Sequence, residues 1–475
     1  MEALSWGLVY FLSEWVIRIV MVVVIPFRRS PDAARGWLLL VLFLPWPALI
    51  LYLMIGRPDY PRWRHERFGQ LAKVFPGIMG KAAEPRAQAV APLPDHLQPV
   101  ALLSRNLGHF PVVDGNSLEY LPDYDTVIDR LVADIDAAER EVHLLFYIFA
   151  SDEAGRKVTD ALARAVARGL DTRVLIDAQG SRPWAKATLA GLEAAGVSVH
   201  RMLPVRFRPG HRIRADLRNH RKIAIIDGRY GYVGSQNIVD RDFKPGIVNQ
   251  ELMVRLQGPI VQQLQATFLA DWFLETTQAL STDDFEREVD REGNAVLQIL
   301  PSGPDYVGTG IEHLVVALVH NARERIIVVT PYFVPDGALL NAMKIAVLRG
   351  VEVHLVVSKI ADQTLVRLAQ RSYYAELLRA GVRIHLFKNK LLHAKNMSVD
   401  GRIGLVGSSN FDIRSFVLNS EISLLVYDEA SAARLVTIQE GYLRDSESLT
   451  FEEWRRRPFA IRIVENLGRM LSPLL

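Results

Sequence analysis

The 475-residue chain has no cysteine, so disulfides, thiol catalysis and cysteine-ligated metal are excluded. Net charge is scarce too. Its 56 Lys and Arg stand against 53 Asp and Glu, a formal +3 that by itself points to neither nucleic acid nor a membrane surface. Charge is missing altogether from residues 37–55, WLLLVLFLPWPALILYLMI. As a helix this run would reach about 28 Å, close to the thickness of a bilayer core. Residues 3–27 are also apolar but carry Glu14 and Arg18, spaced as an i,i+4 ion pair. The first residues are not basic, and Arg28 and Arg29 follow where a small-residue cleavage site would belong, which argues against a signal peptide. Residues 1–56 are therefore expected to anchor the chain in a membrane as two hydrophobic segments. Pro45 and Pro47 lie where they would break the second.

Residues 57–115, rich in Pro, Ala and charge, are expected to form a linker or loosely structured collar. Beyond 116 the pattern turns to β-rich runs alternating with helical spacing. EVHLLFYIF (141–149), RKVTDALARAVARG (156–169) and TRVLID (172–177) predict parallel βα units. The order then returns. Tyr147 and Tyr332 are 185 residues apart, Gly169 and Gly350 181, Gly196 and Gly381 185, and His220 and His393 173. Near-constant offsets through matched segments mark a duplicated domain, expected at 116–295 and 296–475.

The duplication carries one conspicuous pair. HRKIAIIDGRYGYVGSQN (220–237) and HAKNMSVDGRIGLVGSSN (393–410) agree at ten of eighteen positions. On a strand, His220 and Lys222 project to one face, as do His393 and Lys395. Asp-Gly predicts a two-residue hairpin at 227–228 and at 400–401. That register sets Ile226 against Arg229, Val233 against Lys222, Ser235 against His220 and Ser408 against His393; a slip of one residue would still fold each Gly-Ser-x-Asn segment back beside its His-x-Lys segment. Asp227 then lies about 16 Å along the strand from Lys222, a turn-stabilising position, and Asp400 likewise. The remaining groups suit phosphate. Lys222 and Lys395 bring positive charge, and Ser235, Asn237, Ser408 and Asn410 bring donors for phosphoryl oxygens. A neutral imidazole can attack phosphorus and an imidazolium can protonate a leaving alcohol, so two copies offer a nucleophile and an acid.

The motif H-x-K-x4-D-x6-G-S-x-N, present twice, resembles the phospholipase D superfamily. RNHRKIAIID, LLHAKNMSVDGRIGLVGSSNFDIRSFVLNSEI, the paired N-terminal segments and the terminal LSPLL are similar to bacterial cardiolipin synthases over almost the whole chain. Gly-Ser-Gln-Asn stands in the first copy where relatives often have two glycines. The resemblance implies an α/β fold of two tandem phospholipase D-like domains in a pseudo-two-fold arrangement, meeting at one active site. It implies a catalytic set of His220, Lys222, Asp227, His393, Lys395 and Asp400, with no metal and no cofactor, and His220 as nucleophile. It also implies transphosphatidylation through a phosphohistidine, joining two phosphatidylglycerols into cardiolipin with release of glycerol. Glu251 and Glu421 follow the motif histidines by 31 and 28 residues in a shared Asn-x-Glu context. In relatives an acid near this place holds the histidine's other ring nitrogen, fixing its tautomer.

Two basic stretches complete the reading. Residues 206–222, RFRPGHRIRADLRNHRK, beside a phosphate site, are expected to attract anionic headgroups. The C-terminal WRRRPFAIRIVENLGRMLSPLL fits a basic amphipathic helix, lying on an anionic interface or docked on its own domain. The expected partners are anionic phospholipids, phosphatidylglycerol and cardiolipin, at the bacterial inner membrane with the catalytic domains in the cytoplasm. The rival reading is a hydrolase of the same superfamily, acting on phospholipid or on nucleic acid. Nucleic acid is not expected as a partner, since a nuclease has little use for two hydrophobic segments.

Overall fold

The duplicated pattern becomes duplicated structure. The computed structural model describes residues 6–29, 31–56, 60–74, 93–205, 213–214, 216–278, 290–306 and 310–470. The terminal LSPLL, the Pro-rich run 75–92 and part of the basic stretch, 206–212, lie outside the described residues. In the first half, strand Glu141–Phe146 pairs in parallel with Asp171–Asp177, and that with Ser198–Met202. Arg325–Val329, Glu352–Ser358 and Arg383–Phe387 repeat the arrangement. Each first crossover helix opens on an aspartate cap. Asp152 accepts from the Gly155 N–H at 3.0 Å and Asp336 from those of Ala338 and Leu339 at 2.9 Å, worth about 1 kcal/mol apiece.

The motif strands add to this frame in antiparallel fashion. Lys222–Ile226 lies between Glu141–Phe146 and Tyr230–Gly234, as Asn396–Val399 lies between Arg325–Val329 and Ile403–Gly407. Val113–Leu121 and Ala295–Ser302 pair at the seam, merging the halves into one 15-stranded sheet. Read outward from the seam, the strand order of one half matches that of the other, and the second half adds an edge strand, Ser446–Leu449. The α/β duplicated architecture is as expected.

The hairpin register is not. Ile226 pairs with Tyr230 and Val399 with Ile403, one residue further than a two-residue loop allows. Asp227 and Asp400 both take positive φ, at 56° and 54°, followed by Gly228 and Gly401, and one extra residue is left in each loop. A one-residue shift reverses the facing of every side chain on the returning strand. Ser235 is therefore not opposite His220.

Residues 57–115 also differ from a loose connector. Helix Arg62–Val74 packs on Ile260–Thr276, and Arg64, fully buried, pairs with Glu275 at 2.7 Å and Asp305 at 3.0 Å. Helix Gln98–Gly108 places Val100 and Ala101 in the core of the second half. Two acids on later elements neutralise Arg64 inside the fold.

Three helices form the N-terminal segment: α1 (Trp6–Val24), α2 (Pro31–Phe43) and α3 (Pro45–Ile55). Among the described residues α1 alone, with 19 residues and mean hydropathy 2.0, is long and apolar enough to cross a membrane. The run 37–55 is not one helix. It breaks at Leu44, where Pro45 and Pro47 supply no N–H to the preceding turn. The two charged residues of α1 serve that break. Arg18 bonds Glu14 at 3.3 Å and donates to the Leu42 carbonyl at 3.1 Å. Trp6, Phe27 and Phe43 stand 80–89% exposed, an apolar surface of the kind that marks a membrane contact.

Candidate active site

Both motif histidines line one cleft of about 550 Å³ between the halves. Their backbones reach it by a reciprocal exchange. Leu391–Leu392, just before His393, pairs in parallel with Asn249–Gln250, just before Glu251. His220 donates its N–H to the Ser420 carbonyl and Ser420 its own to the Arg218 carbonyl, each at 2.8 Å. Each histidine thus abuts the glutamate of the other half. The His393 Nδ1 meets Glu251 Oε1 at 2.5 Å, and the His220 Nδ1 meets Glu421 Oε1 and Oε2 at 3.1 and 3.0 Å. Sequence order suggested an acid for each histidine within its own copy; the fold crosses them. A carboxylate only accepts, so Nδ1 carries the proton and Nε2 is left as the reactive atom.

The Gly-Ser pairs build this contact from beneath. A Cβ at Gly234 would stand 2.4 Å from the Leu252 carbonyl oxygen, and one at Gly407 2.3 Å from that of Ile422, so only glycine admits the strand behind each glutamate. Ser235 then accepts the Leu252 N–H at 3.0 Å, and Ser408 accepts the Ile422 N–H at 3.0 Å while donating to Glu421 at 2.5 Å. Both hydroxyls are fully buried under the glutamates. The phosphate-binding role expected of Ser235 and Ser408 gives way to positioning, because the register shift turned them from the cleft. Asn237 and Asn410 do line it. The Asn237 Oδ1 accepts from Ile148 at 3.0 Å, which leaves its amide donors for a ligand.

Asp227 and Asp400 stay out of the cleft. Asp227 accepts the N–H groups of Glu139, Arg140 and Glu141 at 2.8–3.0 Å, and Asp400 those of Arg323, Glu324 and Arg325 at 2.8–2.9 Å. Each pins the start of the strand that its motif strand pairs with. Their listing with the catalytic set implied by the resemblance is corrected to a structural one, as the distance argument had placed them.

Lys222 and Lys395 are buried beneath the histidines and donate to the carbonyls of His220 (2.5 Å) and His393. Burial brings Lys222 down to about 7, opposed by Glu421 and helped by Lys395. Lys395 falls to about 8 for the same first reason, opposed by both glutamates. Burial likewise lowers His220 to about 4 and holds His393 below the usual imidazole range, each against its glutamate. Burial would raise both carboxylates, but the histidine and lysine partners outweigh it and keep them ionised. An anionic phosphate would return protons to the lysines.

Sequence reasoning missed three parts of the site. Tyr147 and Tyr332 set ring edges on His220 and His393, with centroids 4.8 and 6.3 Å away; both had served only as markers of the repeat. Asp362 accepts from the Tyr332 hydroxyl at 2.6 Å and pairs with Lys244 across the cleft. The described part of the basic stretch turns inward. Arg221 bonds Asp271 of its own half (2.5 Å) and spans the seam to the Glu421 carbonyl (3.0 Å), and Arg218, buried, lines the cleft and bonds Asp177 at 3.3 Å. Those arginines hold the fold together; they do not display charge to a bilayer.

The family model described as "Cardiolipin synthase, PLD-like domain" matches residues 131–272 and 315–441, one match in each half. Cardiolipin synthase A of Serratia proteamaculans is 34% identical, over 99% of both chains. The major cardiolipin synthase of Bacillus subtilis is 33% identical, over 97% of this chain and 98% of its own. Among solved structures, phosphatidylserine synthase of Haemophilus influenzae superposes with a TM-score of 0.61 at 15% identity, covering 80% of this chain and all of that one, a likeness of fold.

Proposed function

Since the chain belongs to the cardiolipin synthase family of phospholipase D-like proteins, we propose that its crossed histidines make cardiolipin from two phosphatidylglycerols by double displacement. Cardiolipin synthesis by phosphatidyl transfer is the activity of the family, and anionic phospholipid is the substrate class. The observation that carries the stepwise reading is one cleft holding two imidazoles, each with Nδ1 committed to a buried carboxylate.

His220, the more strongly depressed base, attacks the phosphorus of the first lipid through Nε2 while Glu421 keeps its Nδ1 proton. The phosphorus–oxygen bond to glycerol breaks, and His393 delivers a proton to that oxygen. Its contact to Glu251 opposes the burial that lowers it and favours retention of that proton. Glycerol leaves. The headgroup hydroxyl of the second lipid then gives its proton to His393 and attacks phosphorus, breaking the phosphorus–nitrogen bond and freeing His220. Lys222 and Lys395 balance the phosphoryl charge, and Asn237 and Asn410 direct its oxygens.

Purified protein with phosphatidylglycerol alone is expected to yield cardiolipin and glycerol at a rate unchanged by EDTA, since histidine and lysine supply the positive charge. Phosphatidic acid as the main product would replace this reading with hydrolysis.

The family is bacterial and membrane-associated, and we place the catalytic halves on the cytoplasmic side. A cysteine introduced at Leu348, 85% exposed in the second half, should escape an impermeant thiol reagent in intact cells and react after lysis. Labelling before lysis would reverse the orientation.

A further inference from the structure

The last described helix, Phe459–Met470, is docked by its polar side. Glu465 is 2% exposed and accepts from Arg371 at 2.8 Å and Arg457 at 2.6 Å, and Gly468 sits against Leu368 and Ala369. The apolar side is turned out. Phe459, Ile463 and Leu467 follow at i, i+4 and i+8 with Val464 and Met470 beside them, 45–72% exposed. At ~100° per residue the five fall within one arc of roughly 140°. A helix of a soluble domain buries that stripe and exposes its charges. This one exposes the stripe and buries Glu465, with Arg455, Arg456 and Arg462 exposed alongside.

Its seat is helix Thr364–Ala380, whose first turn reaches the catalytic cleft. Val366 lines that cleft, and Leu365 beside it is 50% exposed. The stripe and the cleft are therefore linked through one rigid helix.

We propose that Phe459–Met470 is an interfacial seat that lies in the headgroup layer of an anionic bilayer and holds the second half where lipid enters the cleft. The inference rests on the lipid-transfer reading. A bilayer is the occupant because apolar side chains flanked by arginines match an anionic headgroup layer. The exposed apolar helices at the N-terminus engage the same membrane, and the substrates are embedded in it.

The absence of native cysteine makes the test clean. Full-length protein carrying Ile463→Cys or, as the control about 100° round the helix on its polar side, Arg462→Cys is labelled with a polarity-sensitive fluorophore and reconstituted into phosphatidylglycerol–phosphatidylcholine vesicles. The label at 463 is expected to shift blue and be quenched by brominated lipid chains, less so in pure phosphatidylcholine, and the label at 462 to stay in water. Equal behaviour at both sites overturns the proposal. So does a blue shift in detergent that grows with protein concentration, which would assign the stripe to a second copy. In kinetics, Ile463→Glu with Leu467→Glu is expected to raise KM for vesicle phosphatidylglycerol about tenfold and leave kcat on dispersed short-chain phosphatidylglycerol unchanged. An unchanged KM on vesicles counts against the seat. Failure of the parent protein to make cardiolipin from the short-chain lipid would count against the proposed function instead, while the quenching result still reports on the helix.

Discussion

Alanine at His220 is expected to lower cardiolipin formation by several orders of magnitude, and alanine at His393 by a similar factor, for different reasons. Without His220 no covalent phosphatidyl intermediate forms. Without His393 glycerol must leave unprotonated, and general acid–base assistance alone is worth ~10²–10⁴. A lipid with a leaving group that needs no protonation, such as a nitrophenol, separates the two. The His393→Ala protein should then still acquire a phosphatidyl group on His220, detectable by mass spectrometry, and the His220→Ala protein should not. An adduct on His393 in the His220→Ala protein would exchange the roles. The pH profile of kcat/KM, which reports the free enzyme, follows from the same groups. His220 must be neutral, and burial holds it near 4, so activity falls only as pH drops toward that value. Lys222 at about 7 and Lys395 at about 8 must be protonated, so activity declines as pH rises through 7 to 8. His393, the acid, is held below the usual imidazole range and sheds its proton first, so the decline sets in before the lysines titrate. A profile flat to pH 9 would show that His393 and both lysines keep their protons.

The crossed glutamates make the second large effect position-specific. Glutamine at 421 keeps the shape but presents an amide to the His220 Nδ1, which no longer fixes the reactive tautomer; losses near 10⁴ accompany this change in hydrolytic triads. Because Glu421 serves His220 and Glu251 serves His393, Glu421→Gln is expected to suppress adduct formation even from the nitrophenyl lipid. Glu251→Gln should spare that step and lose cardiolipin formation from phosphatidylglycerol. The opposite pattern would mean that each glutamate serves the histidine of its own half. Because both carboxylates are fully buried, the unfolding transition of each variant should be followed beside its activity.

Much of this was legible in the chain because duplication prints the same residues twice. The offsets located two halves, and the repeated Asn-x-Glu drew notice to Glu251 and Glu421. The crossing was not legible. It depends on Leu391–Leu392 lying beside Asn249–Gln250, a pairing between segments more than 140 residues apart with no local signature. The hairpin slip arose from backbone, since Asp227 and Asp400 adopt positive φ to bring their carboxylates onto three N–H groups of another loop. Arg221 and Arg64 read as surface charge until their acids, Asp271, Glu275 and Asp305, came from elsewhere in the fold. Pro45 and Pro47 carried a local signal, and the break came where they put it.

The exchange of carboxylates also sets a time of onset. His220 and Glu421 are separated by 201 residues of chain. At ribosomal rates of ~5–20 residues per second, about 10–40 s pass between the synthesis of one and of the other. During that interval the N-terminal helices and the rest of the first half are made, yet the His220 imidazole has no acid to orient it and no partner to protonate a leaving group. Fragments ended by premature termination or proteolysis before residue 421 share that silence. Catalytic competence thus arrives late in translation, and unfinished chains do no phosphoryl chemistry.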